Sequence, residues 1–168
     1  MTAGFLVAGA FLWLSQPTVS SLLAGGAVAL AGLAVRGWAA GHLRKNQELA
    51  VSGPYAHVRN PLYVGTLLTG IGFGIAGAHL GIAGVMLAFF LLYYLPVVEE
   101  EESHLRKILQ GYEEYAQRVP RLLPTLLPRY RSETGFSFAQ YRKNREYQAF
   151  YGFLALMAIL ALKAGLSQ

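Results

Sequence analysis

Long apolar runs alternate with short polar gaps along this chain. Five runs can be read, at Thr2–Leu14, Val19–Val35, Leu62–Ala78, Leu80–Val98 and Tyr147–Leu166. A membrane-spanning helix needs roughly 20 predominantly apolar residues. The last four runs approach that length, and the first needs its flanks to reach it. That first run has no basic stretch before it and no small-residue cleavage site, so it reads as a span and not as a cleaved leader. The gaps Ser15-Gln16-Pro17-Thr18 and Gly77-Ala78-His79 are short enough to make tight helical hairpins. The pattern predicts a single all-α domain over 1–168, a polytopic transmembrane bundle of about five spans, with longer polar segments at 36–61 and 99–146.

A second period begins where the fourth run ends. Leu105, Ile108, Leu109, Tyr112, Tyr115, Ala116 and Val119 fall on one stripe at helical spacing. An amphipathic helix is therefore expected, ended by Pro120. Pro120, Pro124 and Pro128 then predict an irregular, extended strap along the membrane surface. With about 100° per residue, Glu101 falls within the apolar stripe and Glu102 on its edge. Glu99 and Glu100 fall on the other face. A carboxylate on a buried stripe needs a cation or a hydrogen-bond donor, so Glu101 and Glu102 are functional candidates. Arg106 is an alternative partner for Glu102 at i+4. Pro96 is expected to kink the fourth span and free a carbonyl nearby.

Composition sharpens the membrane reading. Hydrophobic residues make up 54% of the chain and the mean hydropathy is +0.38, too apolar for an ordinary soluble domain. The absence of cysteine excludes disulfides, thiol nucleophiles and thiolate metal sites. His42, His57, His79 and His104 show no metal-ligand spacing, so no metal is expected. The net charge is +5. Arg36, Arg44, Lys45 and Arg59 lie in the second connection; Arg106, Lys107, Arg118, Arg121, Arg129, Arg131, Arg142, Lys143 and Arg145 lie in the fourth. By the positive-inside rule both connections face the cytoplasm, with the N-terminus inside and the C-terminus outside, in a bacterial inner membrane or its equivalent. The basic residues suit anionic lipid headgroups. They form no basic face on a soluble domain, so a nucleic-acid partner is not expected.

The most densely furnished gap runs from Gly53 to Gly65. Gly53-Pro54 is turn chemistry. Asn60-Pro61 reads as an N-cap followed by proline at the first helical position. Tyr55, His57, Arg59 and Tyr63 crowd the same helix start, whose free N–H groups suit a carboxylate or phosphate. Arg59 adds a bidentate donor for such a group. Further on, Gly70-Ile71-Gly72-Phe73-Gly74 allows close helix packing or, alternatively, the approach of a ligand to the backbone. Arg121, Arg129 and Arg131 suit lipid headgroups, and one of them could instead bind a substrate anion.

The order of these motifs resembles the isoprenylcysteine carboxyl methyltransferase and phospholipid methyltransferase superfamily of membrane enzymes. Its pattern, roughly G-x-Y-x-x-x-R-[HN]-P-x-Y-x-G, a helical hairpin, E-E-x-x-L and Y-x-x-Y-x-x-x-V-P-R, is met at Gly53 to Gly65, Glu101-Glu102-Ser103-His104-Leu105 and Tyr112 to Arg121. Two departures occur. Asn60 stands where histidine is frequent, though asparagine also occurs there, and the glutamate run is longer than a pair. The resemblance implies methyl transfer from S-adenosylmethionine, leaving S-adenosylhomocysteine, to a lipid-like acceptor at the cytoplasmic face. It implies catalytic roles for Arg59, Glu101 and Arg121. Cofactor contacts are implied for Tyr55, His57, Arg59, Asn60, Pro61, Tyr63, Gly65, Gly72, Glu101, Glu102 and Tyr112. A carboxylate acceptor would call for an arginine and an amine acceptor for a proton acceptor; both residue types are present, so both acceptors stay open. The rival readings are an NADPH-dependent reductase of the sterol-reductase type and a lipid-binding membrane protein without catalysis.

Overall fold

The computed structural model describes residues 2–130, 132 and 134–166. Arg131, an expected headgroup contact, lies outside the described residues. The chain forms helices α1 (Thr2–Leu14), α2 (Val19–Ala40), α3 (Pro61–Ala76), α4 (Leu80–Ile108), α5 (Tyr112–Arg118), α6 (Phe138–Lys143) and α7 (Tyr147–Leu166), with a short 3-10 turn at Gly53–Ala56. No strand occurs among the described residues. Three helices, α2, α4 and α7, are long and apolar enough to cross a membrane, and α3 is a shorter apolar helix. At about 1.5 Å per residue, α1 and α3 reach less than the roughly 30 Å of a bilayer core.

Both hairpins form where the polar gaps fall, and their ends show why. Thr18 and Ser21 make a reciprocal capping box that starts α2. The Ser21 hydroxyl also donates to the Ala76 carbonyl at the end of α3 (3.0 Å). His79 caps α4 by accepting from the Ile82 amide. The two turns meet through Gln16 N–H and the Gly77 carbonyl (2.7 Å). At this end Phe11, Ala76, Ile82 and Leu160 form a small core, and Lys163 of α7 donates to the Leu12 and Trp13 carbonyls that α1 leaves open.

The helix pair α2 and α3 packs most extensively, because glycines remove the side chains between them. A Cβ on Gly72 would stand 2.6 Å from the Gly25 carbonyl oxygen, and one on Gly65 would stand 2.6 Å from that of Gly32. Two expectations change at the other end. The fourth span does not stop near Val98, and α4 continues as helix through Pro96 to Ile108. The amphipathic stripe is broken at Leu109–Gly111, where Gly111 adopts a φ of +79° and α5 starts afresh. Arg106 closes that break by pairing with Glu113 (2.6 Å), and so is not the partner of Glu102. Tyr112, Tyr115 and Val119 build a second core there, with Leu49, Val51, Leu105 and Tyr130 packed around it.

Candidate active site

The C-terminal ends of α2 and α4 and the N-terminal ends of α3 and α7 meet at one end of the bundle, the end that carries the two basic connections. Glu102 is the hub of this region. It is 2% exposed. Its Oε1 accepts from Asn60 Nδ2 (2.8 Å) and its Oε2 from Arg59 Nη1 (3.2 Å). Arg121 reaches the same oxygen through Nε (3.2 Å) and Nη2 (3.1 Å), and extends Nη1 to the exposed Glu99 (3.1 Å). One buried carboxylate thus holds two guanidinium groups and an amide, which meets the requirement that a buried charge be paired. Asn60 was expected to cap α3. Its side chain makes no capping bond; it turns inward to Glu102 and the Arg121 carbonyl (3.2 Å). The Tyr63 N–H, which such a cap would serve, donates instead to the Asn60 backbone carbonyl (3.1 Å).

Backbone pairing brings these groups together. Arg59 N–H donates to the Pro120 carbonyl (2.8 Å), Thr125 N–H to the His57 carbonyl (3.0 Å), and Arg129 N–H to the Ala56 carbonyl (2.7 Å). The strap after α5 therefore runs alongside residues 56–59 and delivers Arg121 to Glu102. His57 completes the seam, its Nδ1 lying 2.8 Å from the Thr125 carbonyl, so it serves the strap.

Glu101, one residue earlier, faces elsewhere. Its Oε2 accepts from the Tyr63 hydroxyl (2.7 Å). It lines a cavity of about 50 Å³ together with Tyr55, Arg59, Tyr112, Tyr115, Leu105, Leu109 and the 43–50 segment. Arg59 Nε is buried there without a hydrogen-bond partner, a rare state for a buried donor. Burial, and then the charges of Glu101 and Glu146, push the Tyr55 hydroxyl well above the ordinary phenol range. Burial likewise raises Tyr112, helped by Glu102 and opposed by Arg59. Both phenols stay neutral donors near pH 7.

The opposite side of Tyr63 is apolar. Its ring meets the Tyr94 ring edge-on, with centroids 6.0 Å apart. Tyr94 and Thr66 line a groove of about 780 Å³ between α3 and α4, walled by Gly70, Gly74, Ala83, Gly84 and Phe90. Gly65 and Gly72, expected at the cofactor, lie against α2, where they allow the close packing given above. Pro61 is buried at the start of α3. Sequence reasoning missed Arg36 and Glu146. Arg36 Nε donates to Glu146 Oε1 (2.5 Å), and its Nη1 to Thr66. A single arginine at the end of an apolar run was the available signal for Arg36; its partner lies 110 residues away. Among the described residues, no group of three or more His, Cys, Asp or Glu side chains is placed to hold a metal ion.

An all-helical bundle with apolar helices of membrane-crossing length, and a polar cluster at the junction of α3, α4 and the strap, defines a class of membrane-embedded helical proteins. The chain belongs to the phospholipid methyltransferase family, which it matches over residues 27–111. It is similar to the cobalt-zinc-cadmium resistance protein CzcN of Cupriavidus metallidurans, with 34% identity over 68% of this chain and 52% of the relative. It is also similar to the nickel-cobalt-cadmium resistance protein NccN of Alcaligenes xylosoxydans xylosoxydans, with 30% identity over 74% of this chain and 57% of the relative. The aligned part thus spans about half the length of each relative. No solved structure matches the chain.

Proposed function

We propose that the protein transfers a methyl group from S-adenosylmethionine to a lipid-like acceptor, at the end of the bundle that carries the basic connections. The observation that carries this reading is the position of Tyr63. Its hydroxyl donates to Glu101, which lines a cavity with Arg59, and its ring touches Tyr94, which lines an apolar groove. A reaction between a charged, water-soluble donor and a lipid needs these two environments side by side. Membership of the phospholipid methyltransferase family supports this reading over a reductase.

The residues present fit the donor by their chemistry. Arg59 offers an unpartnered buried N–H to an acceptor such as the donor's carboxylate. Glu101 keeps a carboxylate in the cavity for an amino or hydroxyl group, and Tyr112 lines the same cavity, its ring already facing the Arg106 guanidinium (5.9 Å). When bound, S-adenosylmethionine supplies a sulfonium methyl group open to in-line attack. The chain's task is then to align donor and acceptor, where most of the rate enhancement of a positioned displacement arises. The cavity at Glu101 is far below the roughly 300 Å³ at which ligand clefts begin. Entry of the donor therefore requires the 43–50 segment, which walls the cavity, to give way. By the positive-inside rule this end faces the cytoplasm, where the donor is dissolved.

Calorimetric titration of the purified protein with S-adenosylhomocysteine and with NADPH tests the reading. Binding of the adenosyl compound and not of NADPH is expected, and the reverse overturns it. Mass spectrometry of host lipids, with and without the protein, should then show one lipid class gaining the mass of a methylene group.

A further inference from the structure

The strap has a second side. Thr125 and Arg129 are tied to residues 56–57 by their backbones, and this leaves Leu123, Leu126 and Leu127 with no protein to pack on. Leu126 is 99% exposed, more than any other large apolar residue described, and Leu123 and Leu127 are exposed too. On a spanning helix, lipid tails explain such exposure. These leucines lie in an irregular segment outside the spans, where three large apolar side chains within five residues call for a partner.

Three observations name the partner. The strap pairs with residues 56–59 immediately before α3 begins at Pro61, at the depth where that helix leaves the polar end. Trp38, half exposed at the end of α2, shares a cleft with Pro128 and Tyr130, and half-exposed tryptophan marks the headgroup level of a bilayer. Finally, Arg129, Arg142, Lys143 and Arg145 have no carboxylate partner among the described residues. Exposed leucines flanked by uncommitted cations match the recognition of an anionic bilayer surface.

We propose that Leu123, Leu126 and Leu127 form a wedge that enters the leaflet at the basic end, to the headgroup–acyl boundary, while Arg129 and the Arg142–Arg145 cluster hold anionic headgroups. Pro124 and Pro128 lack N–H groups, which lessens the cost of placing irregular backbone at that depth. The wedge is continuous with the segment that carries Arg121. The bilayer thus keeps Arg121 seated on Glu102, and an anionic leaflet becomes part of the site's scaffold. The inference needs only the membrane-embedded fold and not the methyl-transfer reading, so either can fail alone.

The lack of native cysteine makes the test direct. Leu126→Cys and Leu123→Cys, at exposed positions, are each labelled with an environment-sensitive fluorophore in nanodiscs, with and without phosphatidylglycerol. Gln117→Cys on the exposed face of α5 serves as the aqueous reference and Leu162→Cys on α7 as the buried-in-lipid reference. The strap labels should emit to the blue of the Gln117 label. A nitroxide shallow on the acyl chain should quench them more than a deep one, and phosphatidylglycerol should strengthen that quenching until salt removes the gain. Water-like emission at both strap positions overturns the wedge. Blue-shifted emission without lipid quenching overturns it too, and assigns the leucines to a protein partner.

Discussion

Glu101 and Glu102 are adjacent in the chain and share no hydrogen-bond partner. Glu102 compensates Arg59 and Arg121 and holds Asn60, and we assign its charge a structural role on that ground. Glu102→Gln would leave two arginines without their shared partner and should lower stability by about 3 kcal/mol, read as a loss of thermal midpoint of the solubilised protein. Glu101 keeps a carboxylate in the cavity, and a glutamine there can still accept from the Tyr63 hydroxyl. Glu101→Gln should therefore leave the thermal midpoint nearly unchanged while weakening S-adenosylhomocysteine binding by about 1–3 kcal/mol. Glu99 meets Arg121 in solvent, and its loss should cost no more than about 1 kcal/mol. Comparable thermal losses from all three changes would refute this division of roles.

At the level of elements, the glycines of α3 separate into two groups. Gly65 and Gly72 let α3 lie against the backbone of α2, whereas a Cβ on Gly70 would meet nothing within 4 Å. Gly72→Ala must push the helices apart and should cost about 1–3 kcal/mol. Gly70→Ala, in the wall of the apolar groove, should be neutral or gain up to about 1 kcal/mol from helix propensity. Thermal unfolding of the two variants side by side checks this. Had the glycines served a ligand, the first change would spare stability and harm binding. The close-packing reading of this run thus holds for Gly72, while Gly70 belongs to the groove.

For the whole molecule, the helical bundle and both hairpins were legible because hydropathy and capping are local properties of the chain. The helical period also separated Glu101 and Glu102 from Glu99 and Glu100, which are exposed. The hub was not legible. Nothing near Arg121 in sequence announces the backbone seam that seats it on Glu102, and Arg36 meets Glu146 only because α2 and α7 end side by side. Asn60 was misread because a sequence shows its suitability as a cap but not the competing carboxylate. The same long-range assembly governs the response to alkali. Tyr115 is buried and donates to the Tyr55 carbonyl (2.8 Å), holding the 3-10 turn on α5. Burial, then the neighbouring Tyr55 and Tyr112, pushes its hydroxyl far above the ordinary value, and Tyr55 is raised for the reason already given. A group raised in the folded state favours its protonated form there. Its contribution is complete below the unfolded phenol value of about 10 and is lost as pH climbs past it. The thermal midpoint should stay level from about pH 7 to 9 and fall above pH 10. The decisive quantity is the difference between the wild type and Tyr115→Phe, in which whatever the two proteins share cancels. That variant should start lower by about 1 kcal/mol for the missing hydrogen bond and then fall less steeply. Parallel slopes would mean that the Tyr115 hydroxyl does not link the seam to pH.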